Sequence, residues 1–595
     1  MNSMKKASLL AYLFFATHLM HSQEAVSTSS GNTTGSGGVV SYTIGQVFYA
    51  NLTGSNNYTI SEGVQQGYKK IIYTYNNGWF PMNPSGISLA EDDIIIDTGN
   101  AIISSTLFCN TLTINPGATV TINTGFVVTA NTTILNSTSQ LFSSLIVEGT
   151  LTGTVHYNRY TSLVGPIGTN DLISAPVVDQ TFGSFATENT NLAASNTLRA
   201  FAPYNTTSGA YENYDTTTNA ATSLVAGKGY RVGTTDGSAL KFTGTLRTNE
   251  VALIISDAAA GSAWNLIGNP YPSYLDFASF FNDNKTQFNS DSAYQALYGY
   301  DGDTSNGWTV WNLATITDTA ITELIAPGQA FFVKAKPGGG TVTYTPEMRR
   351  SGSADDFILG KQTSKDVALY KLSLTSATHS ATTAIYFIEG TTRGLDIGYD
   401  AGAYSGSSAN FSIFSNLVAD NTGLDMAIQS LPYNDLKDVV VPLGVNAPIV
   451  GLTIGLDKSS TTLPENINVY LEDAVTNTFT LLNTTNYTFT PSTDISGTGR
   501  FYLRYSSNVL SVASNALDYL QIHSVNSSKE IVITGQLNSK STAHLYDVQG
   551  RLVLSQGLEQ SSISNTINVA TLSSGTYIIK VFNTSLIKNK KVLIN

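Results

Sequence analysis

The chain has 595 residues, and only 12% of them are Asp, Glu, Lys or Arg, about half the share in an average globular protein. The net charge of −12 is spread thinly and no basic run precedes the terminal lysines, which argues against nucleic-acid binding. The length allows roughly three to five domains. Abundant Thr, Asn, Ser and Gly, with 31 Tyr and 25 Phe, favour strands and turns over helices. We therefore predict a multidomain, all-β protein.

The first 22 residues have the pattern of a secretory signal peptide. Lys5 and Lys6 precede an apolar run over residues 7–20, and cleavage is expected just before Gln23. No later window approaches ~18 uninterrupted apolar residues, so we expect a mature chain without a transmembrane segment.

Two β-rich segments follow the signal peptide. Residues 23–70 form a Gly/Ser/Thr-rich N-terminal β segment, and residues 90–156 carry short apolar runs every six to twelve residues. Such regular repetition predicts stacked coils of a short parallel β-helix, with a β-meander as the alternative. Cys109 lies in this segment, and its role stays open between a packed apolar residue and a reactive thiol.

The middle of the chain indicates an internal duplication. Residues 163–166 (LVGP) are echoed by 266–270 (LIGNP), and 224–232 (LVAGKGYRV) by 324–333 (LIAPGQAFFV). An aromatic hairpin lies between the members of each pair. We predict two copies of one β-domain, the first central region (157–250) and the second central region (260–350). Two copies of a fold favour a scaffold or binding surface over an enzyme.

The second central region holds the candidate ligand residues. Trp308, Trp311, Tyr298 and Tyr300 could form a platform for sugar rings, because an aromatic face suits the apolar face of a pyranose. Trp308 and Trp311 are three residues apart, so a regular strand would place them on opposite faces, with at least one in the core.

One acidic cluster in the same region resembles a calcium site. Asp301 and Asp303 supply oxygen ligands at alternate positions, and the glycines between and after them allow a sharp bend. The spacing does not fit an EF-hand and no glutamate follows at the right distance, so a plain hairpin loop is the alternative. Calcium is thus the one candidate cofactor.

Residues 366–510 show strand-sized runs at regular spacing, which predicts a β-sandwich. No sequence motif of a hydrolase or a zinc site occurs: the histidines of the mature chain are far apart, and no Gly-x-Ser-x-Gly is present. The carboxylate clusters 91–93, 355–356 and 472–473 could serve glycoside hydrolysis only if two of them faced each other, and solvated loop acids are the alternative.

Residues 515–595 contain three motifs in order: YDVQGR (546–551), LSSGTY (572–577) and KKVLI (590–594). This order resembles the type A C-terminal sorting domain of the Bacteroidetes type IX secretion system. On that resemblance the sorting motif consists of Tyr546, Asp547, Gly550, Arg551, Leu572, Gly575, Tyr577, Lys590 and Lys591. The segments WNLIGNPYPS (264–273) and IAPGQAFFVKA (325–335) likewise resemble parts of flavobacterial secreted surface proteins of unassigned activity.

These observations predict a cargo protein of the type IX machinery, displayed on the outer surface or released outside the cell. The expected role is structural or adhesive, with extracellular glycans as the candidate ligands. The alternative is an extracellular enzyme that degrades polysaccharide or peptide, or an accessory module of one.

Overall fold

The computed structural model describes residues 29–35, 38–44, 51–53, 59–61, 69–163, 170–258, 262–289, 293–300, 308–317, 323–353, 367–404, 410–458, 461, 464, 467–507, 517, 520–537, 539–560, 562–583 and 587–594. The chain divides into two compact units, residues 1–71 and 72–595. The first unit contains two antiparallel strand pairs. They are formed by β1 (Ser29–Gly35) with β2 (Gly38–Ile44), and β3 (Asn51–Thr53) with β4 (Thr59–Ser61).

The second unit begins with a β-solenoid. Its strands are β5 (Ile72–Asn76), β6 (Trp79–Phe80), β7 (Asp93–Thr98), β8 (Asn100–Ile103), β9 (Leu107–Ile114), β10 (Thr119–Ile122), β11 (Val127–Asn136), β12 (Ser144–Val147) and β13 (Thr150–Arg159). β5, β7, β9, β11 and β13 form one parallel sheet, and β8, β10 and β12 form a second.

The solenoid is held together by apolar residues stacked from coil to coil. Val120 pairs with Ala101 on one side and Leu145 on the other, and all three are buried. A single coil could not bury these side chains alone, so each coil depends on its neighbours. The predicted β-helix is confirmed, and it begins at Ile72, earlier than the sequence pattern indicated.

The first central region contains β14 (Asp171–Ser174), β15 (Val177–Val178), α1 (Phe182–Glu188), β16 (Ala194–Ser195), β17 (Leu198–Arg199), β18 (Phe201–Asn205), β19 (Ala210–Tyr211), β20 (Gly229–Val232) and β21 (Leu240–Leu246). Four of these strands form a sheet in the order β14-β20-β18-β19. β21 pairs with β13 and thereby extends the sheet of the solenoid. The first central region and the solenoid consequently share one apolar core.

The second central region contains β22 (Val251–Ile255), β23 (Trp264–Gly268), β24 (Tyr274–Asp276), α2 (Phe277–Asn284), β25 (Leu297–Tyr300), β26 (Trp308–Trp311), α3 (Leu313–Thr317), β27 (Leu324–Ile325), β28 (Ala330–Lys334), β29 (Gly340–Tyr344) and β30 (Arg349–Arg350). Its main sheet has the order β23-β28-β25-β26. β22 lies before residue 260 yet pairs with β29. This region has a core of its own.

The main sheets of the two central regions have matching registers. Leu172 pairs with Arg231 in the first, and Leu266 pairs with Phe332 in the second. The adjoining hairpins match as well, since the pair Tyr204–Tyr211 corresponds to Tyr300–Trp308. Arg231 of the first central region therefore corresponds to Phe332 of the second.

The two central regions contact each other reciprocally. The amide of Ser174 donates to the carbonyl of Gly328 at 2.8 Å, and the amide of Gly268 donates to the carbonyl of Gly227 at the same distance. In the shared register Ser174 corresponds to Gly268, and Gly227 corresponds to Gly328. Reciprocal contacts of this kind are the mark of an approximate twofold axis between the regions. A Cβ on Gly268 would lie 2.7 Å from the Cβ of Ser174 in the first central region, so glycine permits the close approach.

The described strands between residues 367 and 506 form one hydrogen-bonded sheet with an apolar core of its own. Its strands are β31 (Val367–Thr375), β32 (Ser380–Ile388), β33 (Ala401–Gly402), β34 (Ser412–Ser415), β35 (Met426–Pro432), β36 (Asp438–Asn446), β37 (Leu452–Leu456), β38 (Asn468–Asp473), β39 (Thr478–Leu481), β40 (Tyr487–Phe489) and β41 (Phe501–Ser506). We call this part the sandwich region. One pair in it, β32 with β35, is parallel.

The C-terminal part consists of two small antiparallel sheets that pack on one core. The strands are β42 (Gln521–Val525), β43 (Glu530–Thr534), β44 (Ser541–Tyr546), β45 (Leu552–Leu558), β46 (Ser564–Asn568), β47 (Gly575–Phe582) and β48 (Ile587–Ile594). The sheet orders are β42-β43-β46 and β45-β44-β47-β48. The predicted all-β, multidomain class is confirmed. Within the described ranges, no helix has the length and apolar character needed to cross a bilayer.

Candidate ligand-binding site

The structure separates the four aromatic residues that the sequence placed on a platform. Tyr298 and Trp311 are fully buried. The hydroxyl of Tyr298 donates to the carbonyl of Gly402 at 2.9 Å, and Trp311 packs against Phe277 of α2 with ring centroids 5.1 Å apart. Both side chains therefore serve packing in this structure, because no ligand could reach them without opening the core.

Tyr300 and Trp308 are half-buried and belong to a larger aromatic cluster. They face each other across the hairpin with ring centroids 5.4 Å apart. Trp308 and Trp311 lie in different clusters, which matches the expectation that a strand turns them to opposite faces. Only Tyr300 and Trp308 of the predicted platform are partly accessible.

The cluster is assembled from three parts of the chain. Trp308 lies 4.3 Å from Tyr404 of the sandwich region and 5.7 Å from Phe332, ring centroid to ring centroid. From the first central region, Tyr204 packs edge-on against Phe332 at 4.9 Å and against Tyr211 at 5.5 Å. These five residues, with Tyr300, are called the junction cluster.

A cation lies over an aromatic ring at each of two places beside this cluster. The guanidinium of Arg231 is 4.2 Å from the ring centre of Tyr211. Lys334 Nζ is 4.0 Å from the ring centre of Tyr294, which contacts Trp264. Across the described part of the chain, the ion pairs within 4 Å include neither cation. Burial lowers the pKa of Lys334, which reflects the incomplete hydration of its ammonium group.

Two phenols of the cluster, those of Tyr211 and Tyr404, are kept neutral. Burial raises the pKa of Tyr211 and that of Tyr404, and neighbouring tyrosines add to both shifts. A neutral phenol can both donate and accept a hydrogen bond. The site thus combines aromatic faces, neutral hydroxyls and two cations, a set of groups that suits a polar, ring-shaped ligand with an acidic substituent.

The candidate carboxylates of the sandwich region serve structural ion pairs. Asp473 is buried and lies 2.7 Å from Arg500, and Glu472 lies 2.8 Å from Arg504. Tyr487 also donates to Asp473 at 2.7 Å. Carboxylates held by arginines in this way are committed to the fold.

Two of the three candidate acids of the solenoid, Asp92 and Asp93, are likewise tied to backbone or coil neighbours, whereas Glu91 is exposed. Asp92 accepts from the amide of Leu89 at 2.9 Å, and Asp93 accepts from the hydroxyl of Thr111 on the next coil at 2.6 Å. Residues 355–356, Asp301 and Asp303 lie outside the described residues. In the described ranges, no group of three or more His, Cys, Asp and Glu could hold a metal ion. Cys109 is buried, and burial raises its pKa to about 12, so its thiol is not activated as a nucleophile.

The YDVQGR motif forms a hairpin turn that is closed by contacts of Asp547. The Asp547 carboxylate accepts from the amides of Gln549 and Arg551 at 3.0 and 2.9 Å and pairs with the Arg551 guanidinium at 2.7 Å. The hydrogen bond from the Arg551 amide lowers the pKa of Asp547. Gly550 has φ +81°, a left-handed conformation that glycine adopts without strain.

The other motif residues lie on the last strand pair or beside it. Tyr577 is buried, and its hydroxyl donates to the carbonyl of Ser573 at 2.8 Å. Lys590 and Lys591 pair with Ile579 and Ile578 across β47 and β48. Leu572 packs at the edge of the domain core, and Gly575 begins β47.

Sequence reasoning missed Tyr404, Phe332, Arg231 and Lys334 as members of the site. Arg231 and Phe332 stand in the two echoed motifs on which the predicted duplication rests, so aligning these motifs could have identified them as a matched pair. Tyr404 gave no such signal, because it comes from a different region and only the tertiary structure brings it to Trp308.

Comparison with protein families assigns two parts of the chain. A family described as "Domain of unknown function (DUF8693)" matches residues 65–505, and the "Secretion system C-terminal sorting domain" matches residues 525–595. The second match supports a cargo protein of the type IX secretion system, which is exported to the cell surface or the extracellular space. No curated protein matches the chain.

Proposed function

The chain belongs to the DUF8693 family and carries a type IX sorting domain, and from its junction cluster we propose that the body of the exported protein is a glycan-binding, adhesive surface protein. The observation that carries this proposal is the half-buried cluster around Trp308, flanked by the cations Arg231 and Lys334, each of which lies over an aromatic ring. Aromatic faces would stack on sugar rings, and the cations would favour chains that carry carboxylate or sulfate groups. The two similar central regions favour binding of a ligand at several points over catalytic turnover of a substrate.

The test is an array of neutral and acidic algal, plant and microbial polysaccharides, probed with the purified full chain. Binding and the release of new reducing ends are scored together. Retention without new ends is the expected result, whereas new reducing ends would replace the adhesive proposal with an enzymatic one. If the chain is retained on none of the glycans, both the adhesive and the enzymatic proposal are wrong.

A matched pair of variants locates the binding site. Trp308→Ala removes the centre of the junction cluster, and we expect about a tenfold loss of affinity, typical of an aromatic anchor. Trp79→Ala removes another half-buried tryptophan, which packs on Tyr75 in the solenoid, outside the junction cluster. Equal losses in both variants would show that the cluster is not the site.

A further inference from the structure

The sheet β45-β44-β47-β48 of the sorting domain has one apolar side that the described part of the chain leaves uncovered. Along β47, Tyr577, Ile579 and Val581 point into the domain core, whereas Ile578 between them is exposed. The exposed fractions of the apolar residues on this side are 50% for Leu552, 44% for Ile578, 58% for Ile587 and 51% for Leu593. Leu552, Ile578 and Leu593 lie in or beside one row of paired residues, unlike the single apolar residues scattered on ordinary surfaces.

The strand register aligns the exposed residues in rows. Leu552 pairs with Tyr546, Tyr546 with Ile578, and Ile578 with Lys591, so one row crosses all four strands. Leu593 is paired with Thr576, beside this row. Directly paired residues project from the same face of a sheet. We call the surface formed by Leu552, Tyr546, Ile578, Lys591, Leu593 and Ile587 the outer face.

The rim of the outer face is polar and basic. His544 Nδ1 lies 3.2 Å from the hydroxyl of Tyr546, and its ring packs on Phe582 with centroids 4.7 Å apart. Lys580 Nζ lies 5.6 Å from the ring centre of Phe582. An apolar centre with a polar rim is the usual anatomy of a protein interface.

The edge of this sheet is protected, so a partner would bind its face. β48 is the last strand of the sheet order, and Lys588 and Lys590 alternate into the same side as the buried Val592 and Ile594. Inward-pointing lysines on an edge strand discourage another strand from pairing there. The exposed apolar rows therefore remain as the accessible surface for docking.

The charge of this segment differs from the charge of the whole chain. Residues 560–595 contain four lysines and no Asp or Glu, whereas the chain carries a net −12. Lys591 ends the row on β48, and Lys580 lies two residues from Ile578 on β47. A complementary partner would present an apolar groove bordered by carboxylates.

We propose that the outer face is the surface by which a component of the type IX machinery holds this protein during export, through an apolar groove with acidic borders. The sorting domain already assigns the chain to that machinery. The placement of contact on one sheet face, with its apolar row and two lysines, comes from the described structure. This proposal does not depend on which ligand the body of the protein binds.

The test follows the full chain in a host with an active type IX system. The double variant Ile578→Asp with Leu593→Asp places charges in the middle of the face. The loss of each apolar contact should weaken the affinity of docking about tenfold or more. We therefore expect the extracellular amount to fall at least about tenfold, with a matching accumulation in the periplasm. The charge reversal Lys580→Glu with Lys591→Glu should reduce export in the same direction and leaves the apolar contacts intact.

Matched controls separate docking from folding. Ile254→Asp changes an isoleucine that is 82% exposed on β22, far along the chain from the sorting domain, and Thr566→Lys changes the exposed side of the other sorting-domain sheet. Both should be exported as the parent chain is. Thermal melting of each purified full chain shows whether a variant is folded, and Ile578→Thr is the milder variant if the aspartates disturb the sheet.

Two outcomes would overturn the proposal. Normal export of folded chains that carry the face substitutions would show that the machinery does not contact this surface. A dimer of the parent chain that Ile578→Asp dissociates would assign the outer face to a second copy. Loss of export with a parent-like melting temperature, and normal export of the controls, supports it.

Discussion

The two central regions share strand order and register, yet they are completed in different ways. The core of the first is continuous with the solenoid, because β21 pairs with β13. The second has a separate core, and the sandwich region covers its outer sheet with Tyr404. At one matched position the first carries Arg231 and the second Phe332. One scaffold can thus carry a half-buried cation at a position where its counterpart buries an aromatic residue under a neighbouring region.

Matched substitutions in the two cores should have the largest effect on stability, and they test whether the two cores are separate. Phe331 and Tyr230 occupy equivalent buried positions, and replacing either by Ala should cost about 3–5 kcal/mol of folding free energy. Tyr230→Ala should also speed amide exchange in β9 and β11, because Tyr230 belongs to the core of the solenoid, whereas Phe331→Ala should not. Hydrogen exchange followed by mass spectrometry measures this. Identical exchange patterns would mean that the two cores unfold as one.

The segment that covers the second central region should make stability depend on pH. Asp400 accepts from the amides of Asp396 and Ser430, and burial raises its pKa to about 7 from an ordinary 3.8. Between those values the folded state keeps a proton that the unfolded state releases, so the free energy of unfolding falls as pH rises from 4 to 7. The free energy of unfolding can change by at most about 4 kcal/mol through this group, because a pKa difference of one unit corresponds to 1.36 kcal/mol.

Asp400→Asn should flatten that dependence, as measured by denaturant unfolding at pH 4, 5.5, 7 and 8. Asp425, whose pKa burial raises to about 6, supplies the control. Asp425→Asn should remove only the part of the slope that lies below pH 6. An unchanged slope in Asp400→Asn would show that Asp400 ionises freely in the folded chain.

The N-terminal caps of helices α1 and α2 offer a smaller matched pair. Asp276 caps α2 by accepting from the amide of Ser279 at 2.7 Å, and it lies 3.4 Å from Arg350. Thr181 caps α1 by accepting from the amide of Ser184 at 3.3 Å. We expect Asp276→Ala to cost about 1–2 kcal/mol and Thr181→Ala about 0.5–1 kcal/mol. Calorimetric melting ranks the two, and the reverse order would contradict the geometry.

The smallest expected effect concerns the matched position that Arg231 occupies in the first central region and Phe332 in the second. Arg231→Gln removes the cation of the first central region while keeping a polar side chain of similar length. If the proposed glycan binding holds, affinity for acidic glycans should fall about two- to fivefold, the range of an exposed ion pair, and affinity for neutral glycans should not change. Lys334→Gln tests the other cation in the same titration. An equal loss on both glycan classes would assign Arg231 a packing role only.

Regular local patterns made part of this fold predictable. Short apolar runs with turn residues between them indicated strands, and their spacing indicated the stacked coils of the solenoid. The YDVQGR and LSSGTY motifs identified the sorting domain, because its hairpins are fixed by contacts within a few residues, such as Asp547 with Arg551. The echoed motifs pointed to two related central regions.

Only the tertiary structure decided which aromatic residues are accessible. In sequence Tyr298, Tyr300, Trp308 and Trp311 look alike, yet burial by α2 and by the sandwich region removes Tyr298 and Trp311 from the surface. Tyr404 reaches Trp308 from almost a hundred residues away. The sequence by itself determined the β architecture and the export route, because these depend on local periodicity and short motifs. The candidate site and the outer face depend on long-range packing and strand register, which no local pattern specifies.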